Sequence, residues 1–128
     1  MNTKQWVQEH RIRIETEQVS ENPNAPTWEA NHYKVVLRRG RKQLTTYFST
    51  GFGLRGEPTA TDVLDCLARD AASVECGSFE EWAADLGYDP DSRKAEALFR
   101  VCERQTEALR RFLGDGLLRD LMFNTERP

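Results

Sequence analysis

The spacing of apolar residues changes in the middle of the chain, from every second residue to every third or fourth. Apolar and charged side chains alternate over residues 11–19, as in a half-buried β-strand. Residues 31–38 and 43–50 are rich in β-branched and aromatic side chains, which favour strands. Residues 51–58 then interrupt the pattern with three glycines and a proline. The part of the chain before this interruption is therefore expected to form a β half.

Short connections decide how these strands pair. Residues 21–26 are expected to form a loop, since two prolines remove backbone donors and the asparagines favour turns. The string Arg39-Gly40-Arg41 predicts a tight turn, with Gly40 at a positive φ. Because short connections join antiparallel neighbours, we expect a three-stranded antiparallel meander.

Two helix starts follow the interruption. Thr59 is expected to cap a helix over residues 60–74. Ser78 and Glu81 form a capping box for a short helix that ends at Gly87. The apolar positions are Val63, Leu64, Leu67, Ala68 and Ala71 on the first helix, and Phe79 and Trp82 on the second.

The longest helix is predicted over residues 92–113. Asp91 is expected to cap its start, and Gly114 closes it. Its apolar stripe consists of Ala95, Leu98, Phe99, Cys102, Leu109, Phe112 and Leu113. A weaker last turn or two covers residues 117–122.

The length of 128 residues suits one core and not two. We expect a single domain, residues 1–128, with a β-sheet half over 1–56, a helical half over 57–123 and a polar tail over 124–128. The helices need an apolar surface, and one face of the meander supplies it. The predicted class is therefore α+β, an N-terminal three-stranded antiparallel meander with three to four C-terminal helices packed on one face.

Hydropathy and cysteine usage indicate the compartment. No run of about 18 apolar residues occurs, and the N-terminus lacks the apolar core of a signal peptide, which favours the cytoplasm. Three cysteines without a CxxC spacing fit neither a disulfide framework nor a zinc site. Cys66 and Cys102 are expected on apolar helix stripes. This leaves Cys76 as the only candidate for an exposed thiol.

Charge is unevenly distributed along the chain. Residues 1–56 carry nine Lys/Arg against five Asp/Glu, net +4, and residues 92–128 carry eight against six, net +2. Residues 57–91 carry one Arg against ten acids, net −9. One interpretation is an acidic surface that docks on a basic partner, and the other is a solvated face whose carboxylates cap helix starts. The candidate partner-binding residues are Asp62, Asp65, Asp70, Glu80, Glu81 and Asp85.

The predicted hairpin concentrates positive charge, since no acid occurs between Glu29 and Glu57. Such a ribbon could place arginines on phosphates and aromatic rings on bases. The alternative is a solvated hairpin whose charges prevent edge-to-edge aggregation, and the net charge of −3 is unlike that of a typical nucleic-acid binder. The basic candidates are Lys34, Arg38, Arg39, Arg41 and Lys42, with Tyr33, Tyr47 and Phe48 nearby.

Signatures of metal, cofactor and catalytic sites are incomplete. Residues 89–92 resemble the start of a calcium loop but lack its glycine and later ligands. Residues 51–56 match GxGxxG in spacing, without the βαβ context of a dinucleotide site. His10 and His32 have no nucleophile motif beside them. We therefore expect no metal and no cofactor. If the protein is an enzyme, its active site would consist of carboxylates or His32 in an arrangement that has no sequence signature.

Four segments between residues 30 and 115 form a recognisable series: YFSTG at 47–51, VLDCLARDA at 63–71, FEEW at 79–82 and GYDPDSRKAE at 87–96. In this order they resemble small uncharacterised accessory proteins of tailed bacteriophages. The resemblance implies a phage or prophage protein made inside a bacterial cell. Small phage proteins often disable host defence by binding a host complex, as anti-CRISPR inhibitors do. No site residues follow from the resemblance.

These observations favour binding over catalysis. The leading hypothesis is a non-enzymatic, phage-type accessory protein that inhibits or modulates a host protein or ribonucleoprotein through its acidic helical surface. The alternative is a nucleic-acid-binding module that uses the basic hairpin. A third class, a small enzyme, would require a pocket that gathers polar groups from separate strands and helices.

Overall fold

The structure, a computed structural model, describes residues 2–23, 30–51, 57–75, 78–85, 87–89 and 92–125. A three-stranded antiparallel sheet is followed by several C-terminal helices, which confirms the α+β class. No helix in the described ranges is long and apolar enough to cross a membrane. The elements in chain order are α1 (Thr3–Glu9), β1 (Arg13–Val19), β2 (Ala30–Arg39), β3 (Lys42–Gly51), α2 (Ala60–Glu75), α3 (Phe79–Asp85), α4 (Arg93–Leu113) and α5 (Asp115–Thr125).

The sheet is a meander in the order β1-β2-β3, as predicted. Arg39 pairs with Lys42, which leaves Gly40 and Arg41 as a two-residue turn. Gly40 has a φ of +60°, and a glycine at the first central position is the pattern of a type II′ hairpin turn. The predicted meander and turn are both confirmed.

One face of the sheet is buried. Val35 and Leu37 on β2 are completely inaccessible, and Leu37 pairs with Ile14 on one side and Leu44 on the other. Full burial of a side chain of this size stabilises the fold by about 1.5–3 kcal/mol. Because side chains alternate along a strand, the residues between these positions face the opposite side of the sheet.

Helix α1 was not anticipated by the periodicity of the chain. A reciprocal capping box starts it: Gln5 N donates to Asn2 Oδ1 at 2.8 Å, and Asn2 N donates to Gln5 Oε1 at 3.1 Å. Strand β1 consequently begins at Arg13 and not at residue 11. The N–H of Ile12 donates to the carbonyl of Val7, so this group completes the end of α1 and is unavailable to the sheet.

The chain separates into two compact units, Met1–Asp65 and Cys66–Pro128, with the boundary inside α2. In the first unit the largest buried side chains are Trp6, Leu37 and Leu64. In the second unit they are Phe112, Leu109 and Leu121.

The start of α2 agrees with the prediction. Thr59 N donates to Asp62 Oδ2 at 2.9 Å, and Asp62 N donates to Thr59 Oγ1 at 3.2 Å. The predicted apolar stripe is buried at all five positions: Val63, Leu64, Leu67, Ala68 and Ala71. The assignment of Cys66 to this stripe is wrong, since Cys66 is exposed. With 3.6 residues per turn, position 66 lies on the far side of the helix from the middle of the stripe.

A Schellman motif ends α3. Gly87 N donates to Ala84 O at 3.2 Å, and Tyr88 N donates to Ala83 O at 2.7 Å. The ring of Tyr88 stacks on Trp82, with centroids 5.7 Å apart. This confirms Gly87 as the end of the short helix. Cys76, the predicted candidate for an exposed thiol, lies outside the described residues.

Helix α4 begins one residue later than predicted. Ser92, not Asp91, is its N-cap, because the Ser92 hydroxyl accepts from Ala95 N at 3.3 Å. Asp91 itself lies outside the described residues. Gly114 ends α4 as predicted. Helix α5 (Asp115–Thr125) is longer than the expected 117–122. Residues 126–128 of the expected tail lie outside the described ranges.

Candidate functional site

Strand register gathers basic residues at one end of the sheet. Arg13 on β1 lies directly opposite Arg38 on β2, and Arg39 lies opposite Lys42 across the turn that contains Arg41. Four of the five predicted basic residues therefore lie at the end of the sheet that carries the β2–β3 turn. Lys34 lies four positions before Arg38 on β2, opposite Glu17 and Tyr47.

Arg38 is held by its neighbours on both sides. Its Nε is 3.1 Å from Glu15 Oε1, and its Nη1 donates to Gln43 Oε1 at 2.8 Å. Like charges directly opposite one another destabilise a sheet, and the Glu15 carboxylate offsets the repulsion between Arg38 and Arg13. Acids of β1 thus neutralise part of the hairpin, which the linear sequence did not reveal.

Three other arginines have no such partner among the described residues. Arg11, Arg13 and Arg41 are exposed, and within the described part of the chain none of them forms an ion pair. Arg39 is half-buried and Lys42 is exposed. We call Arg11, Arg13, Arg39, Arg41 and Lys42 the turn-end surface.

An open groove of about 430 Å³ borders this surface. It runs between the end of α1, the first residues of β1 and the β2–β3 turn, so it lies entirely in the first unit. Its lining residues are Val7, Gln8, Arg11, Ile12, Arg13 and Gly40.

Arg11 has a backbone conformation that glycine usually adopts at a helix end. Its φ is +53°, and it is the one described residue other than glycine with a positive φ. Arg11 N donates to Gln8 O at 3.2 Å and Ile12 N to Val7 O at 3.1 Å, the same Schellman motif that ends α3 with a glycine. A side chain in this conformation costs about 1–2 kcal/mol. Strain of this kind beside a groove favours a functional role for the arginine.

The aromatic candidates divide between the two faces of the sheet. Tyr33 is buried, and its cross-strand partner Phe48 is half-buried. Tyr47 is half-buried and lies opposite Lys34. Only Tyr47 therefore shares a face with the predicted basic residues Lys34 and Arg38.

The acids of α2 differ in their surroundings. Asp62 completes the capping box with Thr59, and Asp65 is half-buried. Burial raises the pKa of the half-buried Asp70 above its usual value. Glu75 forms an ion pair with Arg110, whose Nε is also 2.9 Å from Asp115 Oδ1. A cap at Asp62 and an ion pair at Glu75 thus give local roles to two of the ten acids of residues 57–91.

The acids of α3 are less constrained. Glu80 and Glu81 lie in its first turn, where carboxylates interact favourably with the helix dipole. Both side chains are exposed, and neither has an ion-pair partner among the described residues. Asp85 is the last residue of the helix.

A buried polar network joins β2 and β3. Asn22 Nδ2 donates to Ser49 Oγ at 2.8 Å, and Ser49 Oγ lies 2.7 Å from His32 Nδ1. The Ser49 hydroxyl has one proton and two lone pairs, so it accepts from the Asn22 amide and shares a second hydrogen bond with the His32 ring, in which either atom can be the donor. His32 and Asn22 are almost completely buried, so these bonds satisfy groups that burial would otherwise penalise.

The serine–histidine pair has the geometry of a nucleophile and its base. However, the amide of Asn22 occupies a lone pair of Ser49. In the described ranges, moreover, no carboxylate is bonded to the His32 ring. The network satisfies the buried histidine near the start of the central strand, and it connects β2 with β3 more clearly than it supports catalysis. The cross-strand pairing of His32 with Ser49 follows from the register and not from any sequence motif.

Comparison with protein-family models, with curated proteins and with solved structures finds no match to this chain. The candidate surface therefore rests on the geometry of the chain itself.

Proposed function

We propose that the protein binds nucleic acid, without catalysis, through the turn-end surface. One observation carries this proposal: three exposed arginines, Arg11, Arg13 and Arg41, have no acidic partner in the described ranges and belong to one end of the sheet. Keeping like charges together costs free energy in the absence of a ligand, and an anionic partner would relieve the repulsion.

The chemistry of these side chains favours a phosphate backbone. Guanidinium groups bind phosphate oxygens in a bidentate manner, and such contacts position a nucleic acid without reading its sequence. Two of the arginines also line the groove. Since the net charge of the chain is −3, acids elsewhere on the protein oppose a polyanion, and we expect modest affinity with strong salt dependence.

Fluorescence anisotropy with labelled single-stranded and duplex oligonucleotides tests the proposal. The double variant Arg13→Gln, Arg41→Gln should lose about tenfold or more in affinity at low salt, since two charge-assisted contacts disappear. The variant Arg104→Gln, Arg119→Gln is the matched control, because it removes two exposed arginines of α4 and α5 and changes the net charge equally. Absence of binding at low salt, or an equal loss in the control, would contradict the proposal.

A second candidate function rests on Glu80 and Glu81, which are exposed at the start of α3 and unpaired among the described residues. We propose that they contribute to docking on a basic host protein or ribonucleoprotein. This is the mode in which a phage accessory protein of counter-defence, anti-CRISPR-like type would act.

Capture from a bacterial lysate tests this second candidate. The variant Glu80→Lys, Glu81→Lys should lose a salt-sensitive partner that Glu103→Lys, Asp120→Lys, reversed at two exposed positions of α4 and α5, retains. Equal capture by both variants would remove the acidic surface from consideration.

A further inference from the structure

Four aromatic rings of the second unit form a cluster that reaches the surface. Trp82 lies at its centre, and its ring centroid is 5.2–6.2 Å from those of the other three, Phe79, Phe99 and Tyr88. Trp82 is buried, and Phe79 and Phe99 are half-buried. Tyr88 is 37% exposed, one of two large apolar side chains that are exposed in the described ranges, the other being Phe123. Tyr88 is thus the outermost ring of the cluster.

The Tyr88 ring is held from one side. Its plane is inclined by 14° to that of Trp82, so the two rings stack. The backbone N–H of Tyr88 donates to Ala83 O at 2.7 Å and holds the residue against the last turn of α3. Because Trp82 covers one face of the ring, the exposed part of Tyr88 includes the opposite face. No Lys or Arg in the described part of the chain contacts the ring, and an uncovered tyrosine face attracts cations through its quadrupole.

The segment that carries this ring is acidic. Residues 70–92 contain no Lys, Arg or His. Glu80 and Glu81 are exposed and have no ion-pair partner among the residues that the structure describes. They lie about 3–4.5 Å along the helix axis from Ala83, whose carbonyl accepts from Tyr88 N. A cationic segment that lies along α3 and covers the ring therefore comes close to both carboxylates.

We infer that an arginine-containing segment of a partner protein binds here, with one guanidinium stacked on the free face of Tyr88 and further positive charge at Glu80 and Glu81. Guanidinium groups are weakly hydrated, stack on aromatic faces and pair with carboxylates, so one residue type satisfies both parts of the surface. A polyanion would be repelled by the carboxylates, and an apolar segment would gain nothing from them. The inference rests on the second candidate function and names the chemistry of its partner.

Tyr88 also has a structural role that the test must separate from binding. A residue two positions beyond a helix end packs on the last turn in a Schellman motif, and Tyr88 occupies that position at the end of α3. Tyr88→Leu keeps an apolar side chain for this contact but has no aromatic face. Tyr88→Phe keeps both. A purely structural tyrosine would therefore be replaced by leucine without loss of binding.

The probe is a fluorescein-labelled peptide of four Arg-Leu-Gly repeats, titrated with the full chain at low salt. Its matched control has citrulline, which is neutral and of the same shape, in place of every arginine, and should bind about tenfold or more weakly. Tyr88→Leu should lower the affinity for the arginine peptide about twofold to fivefold, the size of one exposed cation–π contact, while Tyr88→Phe retains it. The Glu80→Lys, Glu81→Lys variant should lose about tenfold or more, and Glu103→Lys, Asp120→Lys should lose less.

Melting temperatures of all variants, and shifts of the Trp82 indole and Tyr88 amide signals in an NMR titration, show that the proteins are folded and that the peptide binds at this surface. Full affinity in Tyr88→Leu, or an equal loss in Tyr88→Phe, would overturn the inference and leave docking through Glu80 and Glu81 standing. A loss in Tyr88→Leu with full affinity in the Glu80→Lys, Glu81→Lys variant would overturn the second candidate function alone.

Other occupants give other results. Equal affinity for the citrulline peptide would identify an apolar partner and overturn the inference. Self-association of the free chain in sedimentation, abolished by Tyr88→Leu, would identify a second copy as the occupant and overturn it as well.

Discussion

The guanidinium of Arg38 on β2 binds the carboxylate of Glu15 on β1, with Nε 3.1 Å from Oε1 and Nη2 3.4 Å from Oε2. The bonds tie the central strand to its neighbour on the same face of the sheet. They also divide the basic residues at this end of the sheet into two groups. Arg38 is engaged within the protein, whereas Arg11, Arg13 and Arg41 have no ion-pair partner among the residues that the structure describes. The two groups should respond differently to substitution.

Arg38→Gln should affect stability slightly and binding little. Its ion pair with Glu15 is solvent-exposed, and such pairs contribute about 0.2–1 kcal/mol. Urea denaturation should show a loss of this size in the free energy of unfolding, while oligonucleotide affinity falls less than in Arg13→Gln. A loss of affinity equal to that of Arg13→Gln would contradict this division of the basic residues.

Gly114→Ala should destabilise the protein, and Gly116→Ala should not. Gly114 has φ +82° and ψ 160°, a region that essentially only glycine occupies, so alanine there costs on the order of 1–3 kcal/mol. Gly116 is the second residue of α5 and has no positive φ, so the backbone accepts alanine there without strain. An added Cβ meets no atom within 4 Å at either position, so the comparison isolates the backbone. Equal melting temperatures for the two variants would refute the assigned end of α4.

Cys66 should react with thiol reagents far faster than Cys102. Cys66 is exposed, whereas burial, assisted by the charges of Asp70 and Cys66, raises the pKa of the Cys102 thiol to about 12. Only the thiolate is nucleophilic, so Cys102 should stay unmodified near neutral pH. Iodoacetamide labelling with peptide mass mapping reads each cysteine separately. Preferential labelling of Cys102 would show that the stripe of α4 is not packed as described.

Asp70→Asn should stabilise the protein at neutral pH and not in acid. Burial raises the pKa of Asp70 above 3.8, so the folded state binds this proton more tightly than the unfolded state. Its contribution is fully present below pH 3.8 and is lost as pH rises through the folded-state pKa. The advantage of the asparagine variant should therefore grow with pH in denaturation experiments. The exposed Asp120→Asn is the control, and a pH-independent difference between wild type and Asp70→Asn would oppose this account.

The helical half was largely predictable because its signals are local. The Thr59 cap and the stripe from Val63 to Ala71 lie within a few turns of one another, and the structure has both as expected. Cys66 was misplaced because position 66 adjoins the stripe in sequence but lies on the other side of the helix. Helix α1 has seven residues, too few for a period of 3.6 to emerge, although the Asn2–Gln5 capping box was readable.

The candidate surface was less predictable because it depends on register. Lys34 and Arg38 stand out in the linear sequence, yet only the pairing of β1 with β2 places Glu17 and Glu15 beside them. The groove depends on the left-handed conformation of Arg11, which places the end of α1 beside the turn. No composition or spacing rule signals an arginine in that conformation.

The salt dependence of oligonucleotide binding tests the central claim most directly. Each phosphate contact contributes a slope of about −0.9 for duplex DNA, or about −0.7 for a single strand, to log K against log salt concentration. If Arg13 and Arg41 bind phosphates, the variant that lacks both should show a slope shallower by about 1.4–1.8, while the Arg104, Arg119 control keeps the wild-type slope. An unchanged slope in the Arg13→Gln, Arg41→Gln variant would contradict the claim that the turn-end surface binds nucleic acid.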